Sequence, residues 1–223
     1  MSDDRLGRQI AFLVEADKLK AVIRRTTLVD RSRGENSAEH SWHLLLAAMV
    51  LHERLASRGD LLRVLELLVV HDLVEIDAGD TFAYDPSAHQ TKAAREKAAA
   101  DRLFGLLPAD QGERLRALWE EFEAAESTEA RFANAIDRVQ PLLQNAFSGG
   151  GSWGTHHVTR AQVLARMAPI ESTLPTVWPF VLEIVDAFSV EGLIRAEGTE
   201  KVGANLVGQG ETEERKEGEP ADR

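Results

Sequence analysis

The sequence of 223 residues predicts an all-α fold of about seven or eight helices, and three observations support this prediction. Apolar residues recur at helical spacing along most of the chain, which is the primary sequence signal of an amphipathic helix. The alternation of apolar and polar residues that marks a half-buried strand is nearly absent. Residues that start helices, and prolines and glycines that end them, separate the apolar segments.

The first three predicted helices cover residues 10–23, 37–57 and 60–76. In the first of them, apolar residues recur every three or four positions: Phe12, Leu13, Ala16, Leu19, Val22 and Ile23. We expect Ser37 to cap the second helix and Asp60 to cap the third. The side-chain oxygen of such a residue accepts a hydrogen bond from a free amide in the first turn.

Five further helices are predicted, at about residues 92–107, 110–125, 128–147, 155–167 and 175–196. The first of these is rich in alanine, and Pro108 ends it because proline has no amide hydrogen. The glycine-rich run at 148–151 is expected to form a loop. Beyond it, residues 199–223 are rich in Gly and Glu, a composition that buries too little apolar surface to offset the entropy of ordering. We therefore expect one helical domain, residues 1–198, followed by a disordered acidic tail.

The composition excludes several kinds of protein. A formal net charge of −11 argues against a nucleic-acid polymer as a partner, since its phosphate backbone attracts cations. The chain has no cysteine, so a metal ion would have to bind histidine and carboxylate side chains. No apolar run reaches the roughly 18 residues that a membrane span needs, and the N-terminus lacks the layout of a signal peptide. We expect a cytoplasmic protein that binds no membrane.

Histidine and aspartate occur among apolar residues in three separate predicted helices. His40 lies near the start of one helix, His71 and Asp72 near the end of another that is apolar almost all round, and Asp137 follows a mostly apolar run. Buried polar groups need partners, and four nitrogen and oxygen donors can share one divalent cation. Taken singly, each residue has an ordinary alternative: a hydrogen-bonded core histidine, or an aspartate on the helix surface.

A locally positive segment precedes His40. Residues 17–33 carry six cations against two anions, which indicates either a solvated surface face or a segment that attracts a small anion. Arginine suits a phosphate because its planar guanidinium donates two parallel hydrogen bonds. Arg24 and Arg25 are adjacent and their side chains point apart, so we expect only one of them to enter a pocket.

In their order along the chain, His40, His71-Asp72 and Asp137 resemble the HD-domain superfamily of metal-dependent phosphohydrolases. Residues 25–40 and 71–81 resemble more narrowly the branch of bacterial 5′-deoxynucleotidases and related small HD hydrolases. The resemblance covers roughly residues 8–190 and implies an HD-domain helical bundle. It also implies a homodimeric phosphoric monoester hydrolase that releases phosphate from a nucleoside 5′-monophosphate or a related small phosphomonoester.

The resemblance also implies roles for individual residues. The ligands of one divalent metal ion (Mn, Co, Mg, Zn, Ni or Fe) would be His40, His71, Asp72 and Asp137. Glu75 takes the place of the acidic residue that handles the attacking water, and it lies one helical turn after His71. Asp80 matches a second acidic residue of the pocket, and Arg25 matches the arginine that holds the substrate phosphate. Thr26 stands where the deoxynucleotidases commonly have an aromatic residue that helps to read the sugar, which leaves the substrate's sugar open.

Other readings of the same residues remain. His43 follows His40 by three residues and mimics a His-x-x-His signature, but the family pattern favours His40 alone. HD phosphodiesterases and HD-type oxygenases bind two metals with extra histidines between the His-Asp pair and the last Asp, where this chain has only His89. A module that binds a nucleotide without hydrolysing it is the alternative outside the enzyme class.

Overall fold

A computed structural model describes residues 4–56 and 59–196 of the chain. Within these residues the structure has ten α-helices and one two-stranded hairpin, so the predicted all-α class is confirmed. The helices are α1 (Arg5–Ala16), α2 (Ser37–Leu51), α3 (Leu61–Val70), α4 (Glu75–Ala78), α5 (Pro86–Phe104), α6 (Ala109–Ala124), α7 (Thr128–Phe147), α8 (Gly151–His156), α9 (Arg160–Thr173) and α10 (Trp178–Val190). The expected domain boundary at residue 198 and the expected tail lie outside the described residues.

The hairpin is one of the elements that the sequence pattern did not predict. Strand β1 (Ile23–Thr27) pairs antiparallel with β2 (Gly34–Asn36). The predicted helix over residues 10–23 was therefore wrong at its end: α1 gives way to a 3₁₀ turn (Asp17–Ala21). The β-branched residues of β1 favour the extended conformation, and together they outweigh the helical apolar spacing that precedes them.

The N-cap of helix α2 lies one residue earlier than predicted. Asn36, and not Ser37, is the N-cap, because the Glu39 amide donates to Asn36 Oδ1 at 3.0 Å and the Asn36 amide donates to Glu39 Oε2 at 3.3 Å. This reciprocal pair is a capping box. It frees the Ser37 hydroxyl, which is buried and points toward the candidate site.

Helix α3 begins as predicted and ends earlier. The Leu62 amide donates to Asp60 Oδ1 at 2.9 Å, which confirms Asp60 as the N-cap. The helix stops at Val70, and a turn with tight bonds from Leu73 N to Val70 O and from Glu75 N to Asp72 O separates it from α4. This break places His71 and Asp72, which neighbour each other in sequence, on the same side of the chain.

Helix α7 lies at the centre of the bundle and packs against α2, α3, α6 and α9. Its bounds agree with the prediction, its N-cap is Ser127, and it continues through Pro141. Fully buried side chains of α2, α3 and α7 form the core beneath the site: Leu44, Leu67, Leu68, Phe132, Ile136 and Leu142. None of the described helices is both long and apolar enough to span a membrane.

The second half of the chain differs from the prediction mainly at helix ends. Helix α5 starts six residues earlier than expected, because Asp85 caps it and Pro86 occupies its first position, where proline is well tolerated. The predicted glycine loop is shorter than expected: its last glycine already begins α8, which the sequence did not predict. Asn145 holds this junction, accepting hydrogen bonds at 2.7 Å and 2.9 Å from the amide and hydroxyl of Ser152.

Candidate metal centre

Four side chains meet where α2, the turn after α3 and α7 come together; His40, His71, Asp72 and Asp137 are called the His–Asp cluster below. His40 Nε2 lies 3.0 Å from Asp137 Oδ1 and 3.9 Å from Asp72 Oδ2. His71 Nε2 lies 3.1 Å from Asp72 Oδ1 and 3.9 Å from Asp137 Oδ1. Three of the four, His40, His71 and Asp72, each offer one ligand atom within 4.8 Å of the others. The structure thus brings together the residues predicted to bind the metal.

Hydrogen bonds fix both imidazole rings with Nε2 toward the cluster. His71 Nδ1–H donates to the carbonyl oxygen of Leu68 at 2.8 Å. His40 Nδ1–H donates to Gln140 Oε1 at 3.0 Å, and Gln140 Nε2 in turn donates to Glu35 Oε1 at 2.8 Å. A partner of this kind on the far ring nitrogen sets the tautomer and leaves the other nitrogen's lone pair available to a metal ion.

The cluster is buried and favours a positive charge. His40 is fully buried and His71 is almost fully buried. Burial lowers the pKa of His71, but Asp72 and Asp137 outweigh burial and raise that pKa to about 9. Burial likewise opposes ionisation of Asp137, yet its hydrogen bond with His40 and the charge of Arg166 hold its pKa well below the usual range. Two imidazoles and two carboxylates are a donor set that fits a divalent cation.

The Oδ2 atom of each aspartate of the cluster also accepts a hydrogen bond from an arginine side chain. Arg24 Nη1 donates to Asp72 Oδ2 at 2.9 Å, and Arg166 Nη2 donates to Asp137 Oδ2 at 3.1 Å. Arg24 is the arginine of the 24–25 pair that reaches the cluster, whereas the Arg25 side chain is exposed. The structure places Arg24, not the predicted Arg25, beside the cluster, and the expectation that only one of the two enters a pocket is wrong, because both line the smaller cavity described below.

The two predicted pocket acids lie next to Arg24. Glu75 Oε2 accepts a hydrogen bond from Ser37 Oγ at 2.6 Å and lies 3.8 Å from Arg24 Nη1, while Asp80 Oδ1 lies 3.7 Å from the same nitrogen. Burial, reinforced by the charge of Asp72, raises the pKa of Glu75 to about 8. Burial also raises the pKa of Asp80. Both carboxyl groups can therefore hold a proton more readily than ordinary surface acids.

Two adjoining cavities open on this centre. The cluster cavity, of about 250 Å³, exposes His71, Asp72, Glu75 and Asp137. The side cavity, of about 70 Å³, is lined by Arg25, Phe82, Tyr84 and Asn145 among others. Residues that line both cavities are Arg24, Asp80, Thr81, Ala83, Arg138 and Arg166.

The remaining histidines of the described chain lie outside the cluster. His43 Nδ1 is 3.2 Å from Gln140 Nε2, so it contacts the residue that orients His40. His89 lines the cluster cavity and contacts the carbonyl oxygen of Ala83 at 3.3 Å. Neither joins the group of residues that could hold a metal ion.

Sequence reasoning missed the residues that support the cluster. Glu35 is almost fully buried and accepts hydrogen bonds from Gln140 and Gln144. Gln140 follows Asp137 by three residues on α7, so helical spacing could have placed it on the same face. Arg166 has no such signal, because it comes from α9, far away in sequence.

Comparison with known proteins agrees with this geometry. Residues 16–178 match the family model of the HD domain. The 5′-deoxynucleotidase HDDC2 of Homo sapiens is 33% identical over 137 residues, which are 60% of this chain and 65% of that protein. The protein of the same name from Mus musculus is 32% identical over 137 residues, 60% of this chain and 67% of that protein. The chain thus spans about two thirds of the length of these curated relatives.

Solved structures resemble the chain over more of its length. A predicted metal-dependent phosphohydrolase from Magnetospirillum magnetotacticum MS-1 is 46% identical and superposes with a TM-score of 0.81, covering 86% of this chain and 96% of that one. A conserved hypothetical protein from Pyrococcus furiosus is 22% identical with a TM-score of 0.56, covering 80% and 97% of the two chains. The second likeness bears on the fold alone.

Proposed function

This chain belongs to the HD domain family, and we propose that it is a metal-dependent phosphohydrolase that releases phosphate from a nucleoside 5′-monophosphate or a related small phosphomonoester. The observation that carries the proposal is the convergence of two imidazoles and two carboxylates in one buried cluster at an arginine-lined cavity. The names of the curated relatives and of the Magnetospirillum protein support the same reaction class.

We propose that one divalent ion, such as Mn, Co, Mg, Zn, Ni or Fe, binds His40, His71, Asp72 and Asp137. The contact of each imidazole Nε2 with a cluster carboxylate and the orienting bonds on both rings support this assignment. A divalent ion in such a site supplies a polarised phosphoryl oxygen and a more acidic bound water. The two aspartate carboxylates balance the charge of the divalent ion, so metal binding leaves little net charge in the buried cluster.

The chain's own groups have distinct proposed tasks. The Glu75 carboxyl, held by the Ser37 hydroxyl at 2.6 Å, takes the proton of the attacking water. Asp80 is the second proton-carrying group, beside Arg24 and between the two cavities. Arg25 holds the substrate phosphate; in support, it lines the side cavity and its side chain has no carboxylate partner among the described residues. General acids and bases of this kind need pKa values near the working pH.

A small phosphorylated substrate, most simply a deoxynucleoside 5′-monophosphate, is the proposed ligand. Thr26, at the position of the family's aromatic residue, is buried and donates to Glu35 Oε2 at 3.5 Å. It therefore offers no ring to a sugar, and we leave the discrimination between ribose and deoxyribose to measurement. We further propose a cytoplasmic location, which a chain without cysteine fits.

A phosphate-release assay tests this function. The protein is incubated with a panel of ribo- and deoxynucleoside 5′-monophosphates and simple phosphomonoesters, each with Mg²⁺, Mn²⁺ or Co²⁺. We expect metal-dependent release of phosphate that a chelator abolishes. Saturable binding of a nucleotide without release under any metal would instead favour a non-catalytic binding module, and two tightly held metals per chain would favour a phosphodiesterase or an oxygenase.

Replacing Glu75 with glutamine is expected to lower kcat by roughly 10²- to 10⁴-fold, because a positioned proton acceptor contributes that much. The metal content should stay at the wild-type value, since Glu75 is not in the His–Asp cluster. Asp77→Asn is the matched control on the same short helix, where Asp77 pairs with Arg102 at the surface. Equal kcat in Glu75→Gln and the control would remove Glu75 from the proposed mechanism.

We also propose a homodimer, formed through the exposed apolar face of α2. Trp42, Leu46, Met49 and Val50 lie on this face, and Trp42 and Val50 are each 64% exposed. Apolar side chains at this helical spacing form a continuous stripe, and exposed stripes of this kind mark protein contacts. Light scattering is expected to give the mass of a dimer for the wild type and that of a monomer for Trp42→Glu. A wild-type monomer would contradict the proposal.

A further inference from the structure

The side cavity concentrates positive charge in a protein that is acidic overall. Arg24, Arg25, Arg138 and Arg166 line it, and Asp80 is the one carboxylate among its lining residues. The whole chain carries a formal charge of −11. A cavity with this balance attracts a small anion and raises its local concentration.

The four arginines fall into two classes by their partners. Arg24 and Arg166 donate to Asp72 and Asp137, the two aspartates of the cluster. Arg25 and Arg138 have no carboxylate within ion-pair distance among the described residues. The first two are therefore committed to holding metal-binding carboxylates, and the second two keep their charge for a ligand.

Arg138 is placed where such a ligand would meet the cluster. It follows Asp137 on α7 and lines both cavities. Its Nη1 donates to the backbone and side-chain oxygens of Asn134, at 2.5 Å and 3.0 Å, which anchors the guanidinium by neutral groups only. Its Nε is buried without any hydrogen-bond partner among the described residues. A largely buried guanidinium that lacks an anion is costly to the protein unless a ligand supplies one.

We propose that Arg138 binds the anionic oxygens of the substrate's phosphoryl group at the junction of the two cavities, and that Arg166 is a positioning residue that holds Asp137. This inference rests on the proposed function and adds a second phosphate-binding arginine to Arg25. A phosphate ester placed there contacts the cluster through one side and Arg138 through the other. Inorganic phosphate, the product of the proposed reaction, should bind in the same place.

The test is the affinity of the full-length, Mn²⁺-loaded protein for inorganic phosphate, measured by calorimetry. Arg138→Met keeps most of the side-chain volume and removes the charge, and it is expected to weaken phosphate binding roughly ten- to hundredfold, as lost charge-assisted hydrogen bonds do. Arg138→Lys keeps the charge without the planar fork, and a smaller loss is expected. Arg131→Met is the matched control, because Arg131 is exposed on the same helix and donates to the carbonyl oxygen of Glu126.

Metal content distinguishes this role from a structural one. We expect Arg138→Met to retain the wild-type Mn²⁺ content and thermal unfolding midpoint while its phosphate affinity falls. Phosphate affinity equal to that of wild type in Arg138→Met overturns the assignment, and so does a loss that merely follows a loss of metal. Because binding is measured without turnover, failure of the protein to hydrolyse any monoester would refute the proposed function and not this assignment.

Discussion

Replacing His71 with alanine is expected to abolish metal binding and phosphate release together. His71 Nε2 faces the cluster, 3.1 Å from Asp72 Oδ1, and its other nitrogen is fixed on Leu68, so the ring presents Nε2 to a metal ion. Losing a ligand removes the charge stabilisation that the ion supplies, several kcal/mol, which corresponds to roughly a thousandfold in rate or more. Metal content after dialysis, by mass spectrometry, and initial rates of phosphate release measure the two losses.

His89→Ala is the matched control for this variant. His89 lines the same cavity but lies outside the group that could hold a metal ion. We expect it to keep one metal per chain. If His71→Ala retained stoichiometric metal while His89→Ala lost it, the ligand assignment would be reversed and the proposed centre would be wrong.

Separate replacement of Arg24 and Arg25 by methionine is expected to have different consequences. Arg24 holds Asp72 and lies near both Glu75 and Asp80, so its loss should weaken metal binding roughly 10- to 100-fold, as the loss of groups that orient ligands does. It should lower kcat as well. Arg25 has no carboxylate partner among the described residues, so its loss should leave metal affinity unchanged and raise KM roughly tenfold or more, the cost of a charge-assisted hydrogen bond.

A metal titration and steady-state kinetics on both variants separate these effects, and each variant is the control for the other. If only Arg25→Met changed the metal affinity, Arg25 and not Arg24 would support the metal centre. Unchanged KM in Arg25→Met would remove Arg25 from phosphate binding and leave Arg138 to hold the phosphate in the side cavity.

The centre of the fold was predictable because its signals are local and redundant. Helix α7 has a serine N-cap, twenty residues and a strongly apolar face, and its bounds were predicted correctly. His40, His71, Asp72 and Asp137 stand in an order that resembles one superfamily, and His71-Asp72 and Asp137 each follow an apolar run. Tertiary packing then brings together what sequence order had suggested, since α2, α3 and α7 pack against one another.

The hairpin shows why the sequence did not reveal which of Arg24 and Arg25 lies beside the cluster. Strand β1 has five residues and β2 has three, too few for a period-two pattern to emerge from the sequence. Side chains of a strand point alternately to its two faces. With β1 known, Arg24 and Thr26 share the more buried face, and Arg25 is on the more exposed face, at the edge of the side cavity.

The end of helix α3 at Val70 was also not predictable from local sequence. The apolar run continues through Leu73 and Val74, so periodicity predicted one helix to residue 76. The regular helix instead ends at Val70: the His71 amide still donates to the carbonyl oxygen of Leu67, and Asp72 lies in the turn that follows. The supporting residues Glu35 and Arg166 come from β2 and α9, and only the tertiary structure relates them to the cluster, whereas Gln140 shares α7 with Asp137.

A crystal of the protein grown with Mn²⁺ and measured at the manganese absorption edge tests the proposed metal centre most directly. We expect one anomalous peak per chain, at ligand distance from His40 Nε2, His71 Nε2 and carboxylate oxygens of Asp72 and Asp137. A peak elsewhere, two peaks in the cavity, or full loading of the protein with no peak among these four side chains would contradict the assignment.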